Sequence, residues 1–392
     1  MENSYDSFIL EPLSEDTELP TRSLTPAFTG SGGEYFRIWI VNVALTVLTL
    51  GIYGAWAKVR TRRYFYANTV LDGQPFDYLA KPGAIFRGYL IVGGTLLAMK
   101  VLNNFVPRIG TIFSAAAICV VPYLLYKAHR FKARYSAYRN VRFRFTGDVR
   151  GAYAAFAVFP LAAVASLLFM MSSFLGAYGA IAVMIVMISG MGLATAYPYM
   201  MFLQRRYFHG NMTFGKTESS FTGESGPFYG IYLRSFVLFI AVPLIVGIIV
   251  AVFAGTIKSL SESGESLKIA GLAGTVLLTY VLMAFLAILV QQYIFARTFN
   301  YSWGHSRLGQ VTFIARLRAR DLAWIRFSNL IAIFLSLGLL IPWAKVRRAR
   351  YILSCTTVLL SGDMGAFEAA VVPEEGAVGD TAADFFDWDI GW

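Results

Sequence analysis

Cysteine and histidine are the scarcest chemistry in this chain. Of 392 residues, two are cysteine and three are histidine. Cys119 falls inside an apolar run and Cys355 just outside one, so neither a disulfide framework nor a thiolate metal cluster is expected. His129, His209 and His305 sit at unmatched places in cation-rich stretches, and no pair has metal-ligand spacing on a helix. No zinc-protease motif, nucleophile elbow or phosphate loop occurs. The glycine pairs Gly32-Gly33 and Gly93-Gly94 lack the flanking strand and helix of a nucleotide site. The expectation is therefore no enzyme, no catalytic residue, no metal and no cofactor. Acids are also scarce where coupling would need them. Of the 23, 14 lie in residues 1–20 or from Asp363 onward, and none lies inside an apolar segment, which argues against a proton or cation relay. No cleavable signal is expected, because the first 25 residues are acidic and polar.

Apolar surface, by contrast, is abundant. Hydrophobic residues make up 57% of the chain and charged ones 15%, too apolar for an ordinary soluble domain. A bilayer crossing needs about 20 apolar residues. Eight segments qualify as candidates: Ile38–Ala57, Ala84–Val106, Thr111–Tyr126, Ala152–Leu175, Ala177–Leu203, Gly230–Thr256, Leu267–Phe295 and Leu322–Trp343. The fold class expected is an all-α polytopic membrane protein of about eight segments with short helix and strand loops. It divides into an acidic disordered segment (1–25), a repeat-built transmembrane domain (26–362) and an acidic aromatic tail (363–392). All 34 Lys and Arg lie between the acidic ends. A body this basic suits an inner leaflet of anionic lipid. Nucleic acid is not expected as a partner, since the cations are scattered over several loops and match no reading module.

Repeats organise the body. Leu50-Gly51-Ile52-Tyr53-Gly54-Ala55-Trp56-Ala57-Lys58-Val59-Arg60 recurs as Leu337-Gly338-Leu339-Leu340-Ile341-Pro342-Trp343-Ala344-Lys345-Val346-Arg347. The register extends to Asn42 with Asn329, Arg63-Tyr64 with Arg350-Tyr351, and Thr69 with Thr356. Weaker copies place Arg134-Tyr135 and Arg206-Tyr207 after segments three and five. Val141, Phe143 and Phe145 alternate with Arg142 and Arg144, the period of a strand with one wet face. Asp72-Gly73 reads as a hairpin turn. Phe-Thr-Gly occurs at Phe28–Gly30, Phe145–Gly147 and Phe221–Gly223, each followed by an acid, and reads as a helix-start signal.

Charge sets the orientation. Loops 58–87, 127–150, 204–234 and 296–326 hold 6, 8, 4 and 6 Lys plus Arg, while the intervening turns hold only Lys100, Arg108, Lys258 and Lys268. The long loops are thus expected in the cytoplasm. The end segments admit two readings. Ile38–Ala57 and Leu322–Trp343 have the length of single crossings, which makes eight full spans the expectation. Alternatively each dips and returns at its central glycine, which would keep Lys345 and Arg347 on the cytoplasmic face.

Two groups of residues are candidate sites. Asn42 and Asn329, at matching depth, suit either a polar midplane site or hydrogen bonds between spans. Trp56, Lys58 and Arg60, with Trp343, Lys345 and Arg347, suit interfacial anchors or a clamp on anionic headgroups. Several such collars around one bundle would favour anionic lipids or solutes as ligands. The tail, with Phe385, Phe386, Trp388 and Trp392 among acids, suits docking on a partner protein or on the chain's own cationic loops.

The Leu-Gly-Ile-Tyr-x-x-Trp element with its Lys-Val-Arg, the following Arg-Arg-Tyr, and the preceding Phe-Thr-Gly with Glu34 resemble the YjgN-like family of bacterial inner-membrane proteins, over most of 26–362. That resemblance implies a multi-spanning protein of the bacterial cytoplasmic membrane and carries no established activity. The functional expectation is a transporter or channel-like bundle for an anionic or amphipathic small molecule. The alternative is a lipid-interacting scaffold or assembly partner without transport.

Overall fold

In the computed structural model, residues 21–174, 180–260 and 265–361 are described. The tail 363–392 and most of the acidic N-terminal stretch lie outside them. The chain repeats one unit five times: a strand, a helix leaving the sheet, a helix returning to it, and a strand. The first unit comprises β1 (Thr21–Leu24), β2 (Ala27–Phe28), α1 (Gly32–Leu48), α2 (Gly54–Ala67) and β3 (Thr69–Leu71). Unit two runs β4 (Gln74–Tyr78), α3 (Pro82–Phe105), α4 (Pro107–Arg134) and β5 (Ser136–Tyr138). Unit three runs β6 (Val141–Phe145), α5 (Val149–Ala155), α6 (Val158–Phe174), α7 (Ala180–His209) and β7 (Met212–Phe214). Unit four runs β8 (Thr217–Phe221), α8 (Gly226–Leu260), α9 (Glu265–Gly304) and β9 (Ser306–Leu308). Unit five runs β10 (Val311–Ala315), α10 (Ala319–Leu335), α11 (Ile341–Ser354) and β11 (Thr356–Ser361).

The strands form one antiparallel sheet in the order β1-β11-β10-β9-β8-β7-β6-β5-β4-β3-β2. Its two end strands are halves of one segment bent at Thr25-Pro26, so the sheet returns on itself. Pro26 has no N–H to donate to a ladder, which suits the point where the chain changes neighbours. Leu24, Leu71, Tyr138, Val141, Phe214 and Val311 are among the buried residues that fill the interior, while Arg142 and Arg144 point out to solvent. The all-α expectation is thus corrected. The strand signals seen locally belong to one eleven-stranded sheet, in which pairs within a unit such as β4 with β5 lie on either side of two long helices, and such pairing leaves no short-range pattern.

The same contacts recur in every unit. The backbone N–H of Thr29, Leu79, Thr146, Thr222 and Arg316 donates to the carbonyl of Asn68, Tyr135, Asn211, His305 and Cys355, at 2.8–3.0 Å. Six residues after each donor the leaving helix carries Tyr35, Ile85, Ala152, Phe228 or Leu322, each at most 1% exposed. The returning helix answers with Tyr64, Tyr207, Tyr301 or Tyr351. Their hydroxyls bond Ser31 O at 2.8 Å, Asp148 O at 2.8 Å, the Glu224 backbone N–H at 2.7 Å and the Arg318 backbone N–H at 3.1 Å. Unit two has Phe131 there, fully buried. Its register is therefore Arg130-Phe131 rather than Arg134-Tyr135, a four-residue correction to the sequence alignment.

This arrangement explains Phe-Thr-Gly. A Cβ at Gly147 would lie 2.6 Å from the Phe145 ring and 2.9 Å from that of Tyr207; at Gly30 and Gly223 the equivalent rings stand as close. Helix starts follow at once. Ser31 caps α1 in a capping box with Glu34, and Asp148 caps α5 by accepting from the Gly151 N–H at 2.9 Å.

Units also join head to tail. Arg63 donates to Ala80 O at 3.0 Å, Asn300 to Leu317 O at 2.9 Å, and Arg350 to Gly30 O at 3.1 Å. The last of these spans 320 positions and seals unit five to unit one. At the same seam Gly32 admits the Trp343 side chain, 3.3 Å from where a Cβ would stand. The helices thus form a pseudo-fivefold ring of hairpins, all leaving and re-entering one sheet.

The expectation of eight full spans is corrected at both ends. Ile38–Ala57 and Leu322–Trp343 each break and reverse, because β2 and β3, like β10 and β11, lie in the same sheet. The reversals are alike: Leu50 and Gly51 have φ of 49° and 93°, Leu337 and Gly338 50° and 93°. Backbone groups at the tips are satisfied locally. The Gly51 N–H donates to Thr46 O at 2.8 Å, the Gly338 N–H to Ile333 O at 2.8 Å, and the Tyr53 N–H to Thr49 Oγ1 at 2.9 Å. Leu50 is 95% and Leu337 94% exposed. An apolar tip whose turn N–H groups are bonded within the hairpin is suited to hydrocarbon. At about 1.5 Å per residue, 17-residue α1 and α10 reach about 25 Å from the sheet, far less than 35-residue α8 or 40-residue α9. Among the described residues, α3, α4 and the 276–304 part of α9 are long and apolar enough to cross a membrane; α5 and α6, bent by 64°, make a fourth if counted as one span.

Candidate functional site

The ring encloses a chamber of about 780 Å³ on its axis, running from the face of α1 past the returning helices into the mouth of the sheet. Each returning helix offers one stripe to it. From α2 come Lys58, Thr61, Arg62, Phe65 and Tyr66, spaced three and four apart as one helical face requires. The equivalent stripes carry His129 and Lys132 on α4, Phe208 and His209 on α7, Phe299 and Trp303 on α9, and Lys345 and Ile352 on α11. Arg139, at the turn between β5 and β6, reaches it from the sheet. Five cations line the chamber, and among the described residues no Asp or Glu does. The remaining wall is largely aromatic and aliphatic, the setting in which a few polar groups fix a ligand's orientation.

The two histidines are held differently. His129 lies among aromatic rings, 4.3 Å from that of Phe208. His209 Nδ1 lies 3.0 Å from Ser306 Oγ, which itself donates to Ser302 O at 2.6 Å. Ser306 has one proton to give, so His209 is the donor of that pair. Burial holds the Tyr138 phenol above its usual range against the opposing charge of Arg139, and its hydroxyl donates to Leu71 O at 2.8 Å. Among the described residues, no three His, Cys, Asp or Glu side chains gather as a metal site.

The candidates drawn from the sequence divide. Lys58 and Lys345 face the chamber, at equivalent positions on α2 and α11. Lys58 Nζ also sits 5.9 Å from the Tyr89 ring. Trp56 packs on Phe86 at 5.6 Å, and Arg60 is exposed. Arg347 is held within its own hairpin, over the Trp343 ring at 5.2 Å and bonded to Ser328 Oγ at 2.7 Å and Asn329 Oδ1 at 3.2 Å. The asparagines do not form one site. Asn42 Nδ2 donates to Ala57 O at 3.4 Å and Asn329 Nδ2 to Ala344 O at 3.2 Å, each closing its own hairpin. Of the two, Asn42 alone lines the chamber, and its buried Oδ1 has no hydrogen-bond partner among the described residues. Arg62, Lys132, Arg139 and the histidines were missed by sequence reasoning. For all but Arg139, which lies in a strand turn, the signal was the helical stripe opposite the repeated tyrosine, and on α4 that stripe is visible only once Phe131 is aligned with Tyr64.

Residues 23–385 match the family described as "Bacterial protein of unknown function (DUF898)". The inner membrane protein YjgN of Salmonella typhimurium is 28% identical over 360 residues, covering 88% of this chain and 90% of that protein. YjgN of Escherichia coli O157:H7 is 32% identical over 139 residues, 35% of this chain and 34% of that protein. No solved structure matches. A fivefold ring of hairpins with long apolar helices fits an inner-membrane location, and with the match over nearly its whole length the chain belongs to the bacterial DUF898 family of inner-membrane proteins.

Proposed function

We propose that the chamber binds an anionic amphipathic small molecule and that the protein conducts it through the membrane by binding and release, without chemistry on it. The observation that supports this reading is the charge of the wall: five cations, of which Arg139 is paired with Asp72 at 2.8 Å, and no carboxylate among the described lining residues. Cations grouped in a low-dielectric cleft focus their field on an anion. Each close pair is worth about 4 kcal/mol at 4 Å and an effective dielectric constant of 20. Aromatic neighbours supply the apolar half of the recognition. The apolar side chains that fill the sheet below favour a second reading, a lipid-holding scaffold that conducts nothing.

The test is binding of a fluorescent fatty acid to the purified protein in nanodiscs, with a cationic amphiphile of equal chain length as control. Wild type is expected to bind the acid alone, and the Lys58→Glu, Lys345→Glu double variant at least tenfold more weakly. Equal affinity in the variant, or equal affinity for the cation, overturns the reading. Flux of the same acid from proteoliposomes separates conduit from scaffold.

A further inference from the structure

We propose that the occupant is a phospholipid with a net-negative headgroup, which enters sideways from the bilayer along α1. This rests on the anion-binding reading and adds the source of the anion. Of the leaving helices, only α1 contributes to the described wall, through residues that include Trp39, Asn42, Val43, Thr46 and Val47. Val47 is 68% exposed and is followed by Leu48 at 78% and Leu50 at 95%. The wall is therefore continuous with the apolar tip of the short hairpin. The N–H groups of that turn are bonded within the hairpin and leucine is presented outward, which suits hydrocarbon.

A water-soluble anion reaching the chamber by this route would have to shed its water at that threshold. A phospholipid would not. Its chains stay in hydrocarbon beside Val43 and Val47 while its phosphate moves inward toward Lys58 and Lys345. Ammonium and phosphate pair strongly in such surroundings. Toward the sheet the chamber is lined by the buried apolar residues Leu71, Phe214 and Val311. The Oδ1 of Asn42, a side chain 4% exposed, has no hydrogen-bond partner among the described residues and stands in the same wall. A headgroup hydroxyl or ammonium would give that acceptor its donor.

The experiment uses the full chain in proteoliposomes containing a phosphatidylglycerol with a photoactivatable diazirine on its acyl chain. Labelled peptides are mapped by mass spectrometry. The expected result is labelling of the inner face of α1, reduced at least fivefold in Val47→Trp and unaffected by millimolar glycerol 3-phosphate. The Lys58→Glu, Lys345→Glu variant should lose the same label, and Lys58→Gln should lose part of it. Val47 is exposed, so its replacement leaves packing intact, and unchanged thermal unfolding confirms that. If glycerol 3-phosphate displaces the label, or Val47→Trp labels like wild type, lateral lipid access is overturned while anion binding stands. If the lysine variants label like wild type and also bind the fluorescent fatty acid normally, both readings fall.

Discussion

Gly147 and Gly33 are both glycines at helix starts, but their surroundings differ. Gly147 lies beneath the rings of Phe145 and Tyr207, whereas at Gly33 nothing stands within 4 Å of the place a Cβ would take. Overpacking against rings fixed in a core costs about 1–3 kcal/mol. Gly147→Ala is expected to lose that much, and Gly33→Ala to change stability by no more than about 0.5 kcal/mol, both read from thermal unfolding in detergent. The Phe-Thr-Gly motif is legible in the sequence as punctuation, but its cause is not. The tyrosine that forbids a side chain at Gly147 is 60 positions away on another helix, and nothing local announces it. The same distance effect hid most of the chamber. Lys58 and Lys345 were visible because their repeats match closely. Lys132 was not, because Phe131 replaces the tyrosine that would have set its register.

At the scale of elements, the short hairpins are the feature most easily misread. Ile38–Ala57 has the length of a crossing, and length is a fair guide when a helix is continuous. The turn at Leu50-Gly51 uses two left-handed residues in sequence, and a leucine in that region gives little warning of a reversal. The cation bias of the flanking loops carried the information that length did not. If the tips rest in hydrocarbon, Leu50→Cys and Leu337→Cys, placed in a chain with Cys119 and Cys355 replaced, should resist a membrane-impermeant maleimide added from either side. Lys216→Cys, exposed in the turn between β7 and β8, should react from the sheet side alone. Reaction at Leu50→Cys from the opposite face would mean a full crossing. By contrast, Asp72-Gly73 and the alternation from Val141 to Phe145 were readable directly, since a hairpin turn and a half-wet strand are local facts.

For the molecule as a whole, the ring has four ordinary hairpins and one that is interrupted. Leu71 pairs with Gln74, Tyr138 with Val141, Phe214 with Thr217 and Leu308 with Val311, each across a two-residue turn. At the fifth corner Ser361 pairs with Thr21 and no turn joins them. A permuted chain in which Ser361 runs through Asn-Gly into Thr21, with new ends between Gly215 and Lys216, is expected to fold and to melt within a few degrees of the parent. Failure to recover folded permutant would show that the fifth corner is not equivalent to the other four.

The interrupted corner also sets an order of events during synthesis. Thr21–Leu24 is among the first structured parts to leave the ribosome, yet its partner Val358–Ser361 is among the last. Gly30 likewise waits for Arg350, and Tyr35 for the α11 residues Val346 and Ala349 that cover it. Until translation is nearly finished, the first helical hairpin has one flank bare. The first unit to be made is therefore the last to be completed, and a truncation near the end of the chain should be felt at its beginning.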